Sequence, residues 1–211
     1  MADSTIVNDD ALVQRVAEGD DAALTVLLDR YRPRLKRMVD LRMNQKLQGR
    51  IDASDVIQDA FVDVNRLLEK YLSKPDMPFF LWLRHITQER LIDAHRRHLG
   101  AQKRDAGLEV SLHRGNGPLV NSASLAAQLL GGLTSPSHAA VRAEVRNRVQ
   151  EALSELEPLD REVLALRHFE QMNNAETAAT LGINRSTASS RYLRALKRIR
   201  DLLNDYPELK L

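Results

Sequence analysis

ETAATLGINRSTASSRYLRALKRIR, residues 176–200, holds the break on which the fold turns. Helix-forming residues run from about Ala175 to Leu181 and stop at Gly182. Glycine readily takes the left-handed backbone angles that close a helix end. Ile183 can tuck into a core just past the stop, and Asn184 or Ser186 can cap a new helix at once. Ala178 and Ala188 are small where two crossing helices must approach closely, and Leu181, Ile183, Leu193, Leu196 and Ile199 supply a buried side. Two helices at a steep angle joined by a glycine turn make a helix-turn-helix.

This arrangement leaves the second helix projecting. Its first turn presents Arg185, Ser186, Thr187, Ser189 and Ser190, short polar groups that can approach base edges or phosphates without bulk. Arg191 and Arg194 follow one turn later, then Lys197, Arg198 and Arg200. From 185 to 200 there are six basic residues and no acid. A major groove admits one such helix, and the cations draw it to phosphate. The competing interpretation is a plain helical bundle, in which the basic run and the short polar turn coincide by chance.

Working outward, Val145, Val149, Leu153 and Leu156 continue a helical stripe begun at Val141, and Pro158 suits the first turn of a helix carrying Leu159, Val163, Leu164 and Leu166. A C-terminal helical block over 138–204 results. Upstream, 100–137 carries six of the chain's nine glycines, two prolines and several serines, the composition of a flexible linker. Within it Leu125, Leu129, Leu130 and Leu133 have the spacing for two helical turns, either docked or transient.

A second helical block spans 9–99. Asp9 or Asp10 can cap a helix with Leu12, Val13 and Val16. Asp20 or Asp21 opens the next, with a bend expected at Pro33. The clearest helix covers 52–72: Asp52 and Asp55 have capping-box spacing, and Val56, Ile57, Ala60, Phe61, Val64, Leu67, Leu68 and Tyr71 form one stripe. A further helix carries Phe79, Phe80, Leu83, Ile86, Leu91 and Ile92. No strand pattern of any length interrupts these blocks. The fold expected is all-α: two small helical domains joined by a flexible linker, the C-terminal one a helix-turn-helix.

The 211 residues have no cysteine, which removes disulfides and thiolate metal sites. No apolar run approaches the ~18 residues needed to cross a bilayer, and MADSTIVNDD lacks the apolar stretch of a secretory signal, so the address expected is the cytoplasm, away from membranes. Net charge is only +2, but it is unevenly placed. Residues 84–104 hold Arg84, Arg90, Arg96, Arg97, Lys103 and Arg104 against Glu89 and Asp93. Two separated cationic patches suggest a polyanion touched at two places. Phe79, Phe80 and Trp82 lead into the first patch, and rings beside cations suit single-stranded DNA; the alternative assigns most of these rings to the core. His95 and His98, with Glu89 and Asp93 nearby, have metal-ligand spacing, but the surrounding arginines oppose a divalent cation, so neither a metal nor a cofactor is expected.

Four stretches together resemble the bacterial sigma factors of RNA polymerase, in the extracytoplasmic-function (ECF) group. SDVIQDAFVDVNR (54–66) resembles that family's helix for docking on the polymerase clamp coiled coil. FFLWLRHITQERLIDAHRR (79–97) resembles its promoter-melting and −10-reading segment. ALSELEPLDREVLALRHFEQ (152–171) and the opening stretch resemble its −35-reading domain. The linker around SASLAAQLLGGLTSPS is similar to a planctomycete-type subgroup.

The resemblance implies a polymerase-binding face of Asp55, Gln58, Asp59, Phe61 and Asp63, the three acids falling at i, i+4 and i+8. It implies −10 DNA contacts from Phe80, Trp82, Arg84, Arg90, Arg96 and Arg97. Contacts to the −35 element would come from Arg185, Ser186, Thr187, Ser189, Ser190, Arg191, Arg194 and Lys197. Asp93 is expected to orient an arginine or cap locally rather than contact DNA. The implied partners are core RNA polymerase and promoter DNA, as duplex and as melted strand, and an anti-sigma protein is admitted. Glu89 departs from a common Asn, and Ala188 from a commoner Val. The implied function is non-enzymatic promoter selection; the rival is a helix-turn-helix regulator that binds DNA without polymerase.

Overall fold

The computed structural model describes residues 8–44, 47, 49–99, 118–130 and 139–204. Among these, nine α-helices and no strand are found. Leu133, Lys103 and Arg104 lie outside the described residues, as do the side chains of His98 and Val141.

Helix α1 (Asp9–Ala17) is capped by Asn8, whose side chain accepts the Asp10 N–H; Asp9 instead pairs with Arg30 and accepts the Tyr31 hydroxyl. Helix α2 (Asp21–Arg42) is capped by Asp20, which accepts the Ala23 N–H at 3.1 Å, and it runs on through Pro33. Helix α3 (Ala53–Ser73) begins with the expected capping box. Asp52 accepts the Ser54 N–H at 2.7 Å and the Asp55 carboxylate accepts the Asp52 N–H at 3.3 Å. Replacing Asp52 with Ala is expected to remove about 1 kcal/mol of stability, measurable by urea denaturation.

Helix α4 (Phe79–Leu99) packs along α3 and across α2. Leu27, Leu35, Met38, Ile57, Leu83 and Leu91 are almost fully buried between them. Of the α3 stripe, Leu67 is left 41% exposed, because the partners cover only the arc through Val64 and Tyr71.

Helix α5 (Ser122–Leu130), inside the segment read as linker, is capped by Asn121 and buries Leu125 and Ala126. It packs on α6 (Ala139–Glu155) and touches α2, with the Asn121 N–H donating to the Leu41 carbonyl at 3.0 Å. Helix α7 (Pro158–Leu164) has Pro158 in its first turn and runs into a π-helical turn, Ala165–Phe169.

Helix α8 (Asn174–Leu181) opens with a second capping box, Asn173 with Glu176. Gly182 ends it at φ 64°, ψ 32°, and the Ile183 N–H returns to the Ala178 carbonyl at 3.0 Å. Asn184 then caps α9 (Arg185–Asn204) by accepting the Thr187 N–H at 2.7 Å. A Cβ at Gly182 would meet no atom within 4 Å, so substitution is opposed by the backbone angle alone. Gly182→Ala is expected to cost about 1–2 kcal/mol, and Gly182→Asn less, since Asn tolerates the left-handed region. Comparing thermal melts of the two variants separates the angle from side-chain bulk.

The buried face of α9 differs from the sequence expectation. Leu193 and Leu196 are 64% and 37% exposed, whereas Ala188 and Ala195 are fully buried, with Tyr192 and Ile199 half-buried beside them. The alanines let α9 lie close on its partners, and that closeness sets which face turns inward. The leucines, one position round the helix, are carried to the surface.

Two cores result, and each borrows from the other. The core of α1–α4 includes Leu166 and Met172, and the core of α5–α7 and α9 includes Leu41.

Candidate polymerase and nucleic-acid interfaces

On α3, the apolar stripe turned inward fixes what faces out. Asp55, Gln58 and Asp59 are exposed. Asp63 is half-covered and bridges Arg66 at 3.3 Å and Arg90 of α4 at 2.8 Å. Arg90 also reaches Asp93 at 3.1 Å, giving Asp93 the arginine-orienting contact, and Arg97 lies 3.6 Å from Asp59. The acidic face of α3 and the basic face of α4 thus line one open cleft of about 510 Å³, formed by Asp59, Val62, Asp63, Arg90, Asp93, Arg96 and Arg97.

Several residues assigned from sequence to contact surfaces are buried here, which corrects their placement. Phe61 is 7% exposed, with the Arg32 guanidinium 4.8 Å from its ring centroid. Phe80 is 4% exposed, tilted at 34° against Tyr31 with ring centroids 4.9 Å apart, and covered by Arg34. Trp82 is half-buried against Tyr71 at 4.4 Å. These rings stabilise α2, α3 and α4 by burial, which large apolar side chains favour over water. Arg84 is buried too: its Nε donates to Glu170 at 2.7 Å and its Nη1 to Gln88 at 2.9 Å. Of the set on α4, Arg96 and Arg97 are exposed and Arg90 is half-exposed.

The first turn of α9 presents Arg185, Ser186, Ser189 and Ser190 to solvent, with Thr187 half-covered. Asn174 of α8 holds the Arg185 carbonyl at 2.8 Å, tying the two helices at the turn. Arg191 is drawn back onto α7: it reaches Glu157 at 2.8 Å and Asp160 at 2.6 Å, and Arg194 reaches Asp160 at 3.1 Å. The hydrogen bond from Arg191, with its charge, holds the Glu157 carboxyl below the usual range. Arg198 pairs with Glu155, and Lys197 is exposed. Ser189, Ser190 and Lys197 thus face solvent and the Ser186 hydroxyl donates to Asn184 at 2.8 Å, while Arg191 and Arg194 are held along the helix flank.

His95 has no metal-like surroundings. It is buried, its Nε2 accepts the Asn44 N–H at 3.4 Å, and burial lowers its pKa. No cluster of three metal-ligating side chains occurs among the described residues. No helix among them is long and apolar enough to cross a membrane.

Three charged residues, Arg42, Glu162 and Glu170, escaped the sequence reading, and they hold a fourth, Arg84, that it assigned to DNA. Arg42 on α2 donates to Glu162 at 2.7 Å and to Glu170 at 2.6 Å, and Arg84 completes the group; all four side chains are at most 7% exposed. The signal available was Arg42 standing inside the apolar stripe of α2, and Glu162 and Glu170 inside the apolar run after Pro158. Burial alone would raise the Glu170 carboxyl, but Arg42 and Arg84 more than offset this and hold it below the ordinary glutamate value. The stability it contributes is complete above the unfolded value, about 4.3, and is lost as pH falls through the lower folded one. Acid titration is expected to leave the emission of Trp82, the sole tryptophan, unchanged until the pH has fallen below the ordinary glutamate value. A transition centred near 5 would place the Glu170 charge elsewhere.

Residues 27–99 match the family described as Sigma-70 region 2, and residues 146–199 match Sigma-70, region 4. The chain is 27% identical over 192 residues to the ECF RNA polymerase sigma factor SigD of Mycobacterium tuberculosis, covering 91% of this chain and 82% of that one. It is 28% identical over 197 residues to the RNA polymerase sigma-H factor of Pseudomonas aeruginosa, covering 90% and 91%. Its fold is similar to that in a structure of CnrH in complex with the cytosolic domain of CnrY, with a TM-score of 0.54 at 24% identity, covering 94% and 98%. The two sigma-70 regions, in order, occupy α2–α4 and α6–α9 and together span more than half of the sequence. The chain belongs to the sigma-70 family as an extracytoplasmic-function sigma factor, and it directs RNA polymerase to promoters.

Proposed function

We propose how this sigma factor divides that task among its surfaces. Residues 9–99 dock on core polymerase through Asp55, Gln58, Asp59 and Asp63 of α3, with Phe61 packed beneath them. The melted −10 strand runs along α4, its phosphates met by Arg90, Arg96 and Arg97. Residues 138–204 carry the −35 reader: the exposed turn of Arg185, Ser186, Ser189 and Ser190 enters the major groove, and Lys197 meets phosphate. Residues 100–137 join the two. No covalent step is involved; binding supplies the melting energy, and neither metal nor cofactor takes part. The protein acts in the cytoplasm, and the likeness of its linker around SASLAAQLLGGLTSPS supports the planctomycete-type subgroup. CnrH was solved with the cytosolic domain of CnrY, which supports an anti-sigma protein as a partner here as well.

The observation that carries this reading is the placement of one acidic and two cationic surfaces on three separate helices, α3, α4 and α9. Transcription from a responsive promoter, reconstituted with and without core polymerase, tests it. Tight promoter binding by the free chain, unaffected by polymerase, would instead identify a stand-alone regulator.

Lys197→Ala is expected to weaken binding to every duplex about equally and to lower the salt slope by about 1, its one phosphate contact. Fluorescence anisotropy at several salt concentrations reads both quantities.

A further inference from the structure

Leu193 is 64% exposed, the most exposed large apolar side chain among the described residues. A single exposed leucine needs no explanation; the stripe it belongs to does. Ser186, Ser190, Leu193 and Lys197 fall at i, i+4, i+7 and i+11, so they share one face of α9, and all four are exposed. Ala188 and Ala195, both fully buried, mark the opposite face. At about 1.5 Å per residue the stripe is about 16 Å long, enough to cross a major groove about 12 Å wide. No acid stands between 185 and 200, so the charge of this face suits a polyanion.

Few arginines on α9 are left to read bases. Asp160 holds Arg191 and Arg194, Arg198 pairs with Glu155, and Arg200 pairs with Asp201. On the stripe itself, the Ser186 hydroxyl donates to Asn184 at 2.8 Å. A serine hydroxyl both donates and accepts, so Ser190 discriminates weakly among base edges. Lys197, at the far end, suits a phosphate. Between the serines and the lysine stands an isobutyl group. Only one base offers it an apolar partner in the major groove: thymine, through its C5 methyl group. Contact between the two removes apolar surface of both from water.

We propose that Leu193 is a specificity residue of the −35 reader, selecting a thymine by contact with its C5 methyl group. This rests on the entry of α9 into the major groove at the −35 element.

The full chain, assembled with core RNA polymerase, is used to select from duplexes randomised over the −35 region. The wild type is expected to enrich thymine at one position at least. Deoxyuridine, which lacks only the C5 methyl, is then placed at each thymine of the best duplex. At the position that Leu193 covers, binding is expected to weaken about fourfold, the equivalent of about 0.8 kcal/mol for one methyl-sized group. Leu193→Ala, at an exposed site and with a strong helix former, should keep helical circular dichroism and abolish both the thymine enrichment and the deoxyuridine penalty there. Leu196→Ala, off the stripe, should keep both. Deoxyuridine tolerated at every position by the wild type, or a penalty that survives in Leu193→Ala, would overturn the proposal. Weaker assembly of Leu193→Ala with core polymerase, with thymine preference intact, would overturn it in favour of a protein contact. Ser189→Ala with Ser190→Ala separates the underlying reading: an unchanged selected sequence would remove α9 from the groove altogether, whereas an altered one without any deoxyuridine penalty would remove Leu193 alone.

Discussion

Asp55→Lys combined with Asp59→Lys is expected to weaken binding to core RNA polymerase more than about a hundredfold, while affinity for a −35 duplex is unchanged. Both residues are exposed on α3, and among the described residues Asp55 bonds Asp52 and Asp59 faces Arg97, both in the N-terminal half. A hundredfold loss is about 2.7 kcal/mol, the scale of one charge-assisted bond exchanged for like-charge repulsion across an interface. Two local effects must be separated from it. Asp55 closes the capping box of α3, and its loss costs about 1 kcal/mol of stability. Asp59 lies 3.6 Å from Arg97, and the reversed charge would repel that arginine within the cleft. Asp55→Gln answers the first, because Gln can still accept the Asp52 N–H: the cap survives and the charge is gone. Asp59→Asn answers the second. If the double reversal bound core polymerase as the wild type does, in an anisotropy titration on a chain that melts normally, docking would not use this face of α3.

The architecture was legible where local chemistry decides it. Gly182 sits at the left-handed angle its place between two helical runs demands, and Asp52 with Asp55 forms the box its spacing announces. Legibility failed where packing across long separations decides. On α9 the leucines are the more hydrophobic residues, yet small Ala188 and Ala195 face inward, because close approach of the helices outweighs the burial of two larger side chains. In the −10 set, Arg84 read as a surface group from its neighbours in sequence, while Phe80 stood open between the core and DNA. Both are buried, Phe80 by Tyr31 and Arg84 by a glutamate 86 residues away. Charged residues are almost never fully buried unless paired, so a sequence reading places them in water by default. The pairing of Arg42 with Glu162, 120 residues on, leaves no local pattern to correct it. α5 lies between these cases. Its leucine spacing was visible, but its seat on α6 and α2 was not.

Removing the Asp160 carboxylate tests whether the basic flank of α9 reads DNA or braces the helix. Asp160 is 2% exposed, and it receives Arg191 at 2.6 Å and Arg194 at 3.1 Å. Breaking a fully buried pair costs about 3–5 kcal/mol. Here the arginines are 21% and 55% exposed and can turn toward water, so Asp160→Ala is expected to destabilise the C-terminal block by about 2 kcal/mol. For DNA, two effects oppose each other. Loss of an acid beside the recognition helix raises the local positive potential and strengthens binding to any duplex. Loss of the brace lets Arg191 and Arg194 sample many rotamers, and it loosens the seat of α9 on α7, so the exposed turn at 185–190 is presented less uniformly. The first effect is blind to sequence and the second is not. Affinity for a scrambled duplex should therefore hold or rise, while preference for the promoter −35 element over it falls about tenfold. Asp160→Asn, which keeps the volume and one acceptor, should lie between. An unchanged preference in both variants, measured on folded protein, would leave Arg191 and Arg194 as braces of the fold and move sequence reading to the first turn of α9 alone.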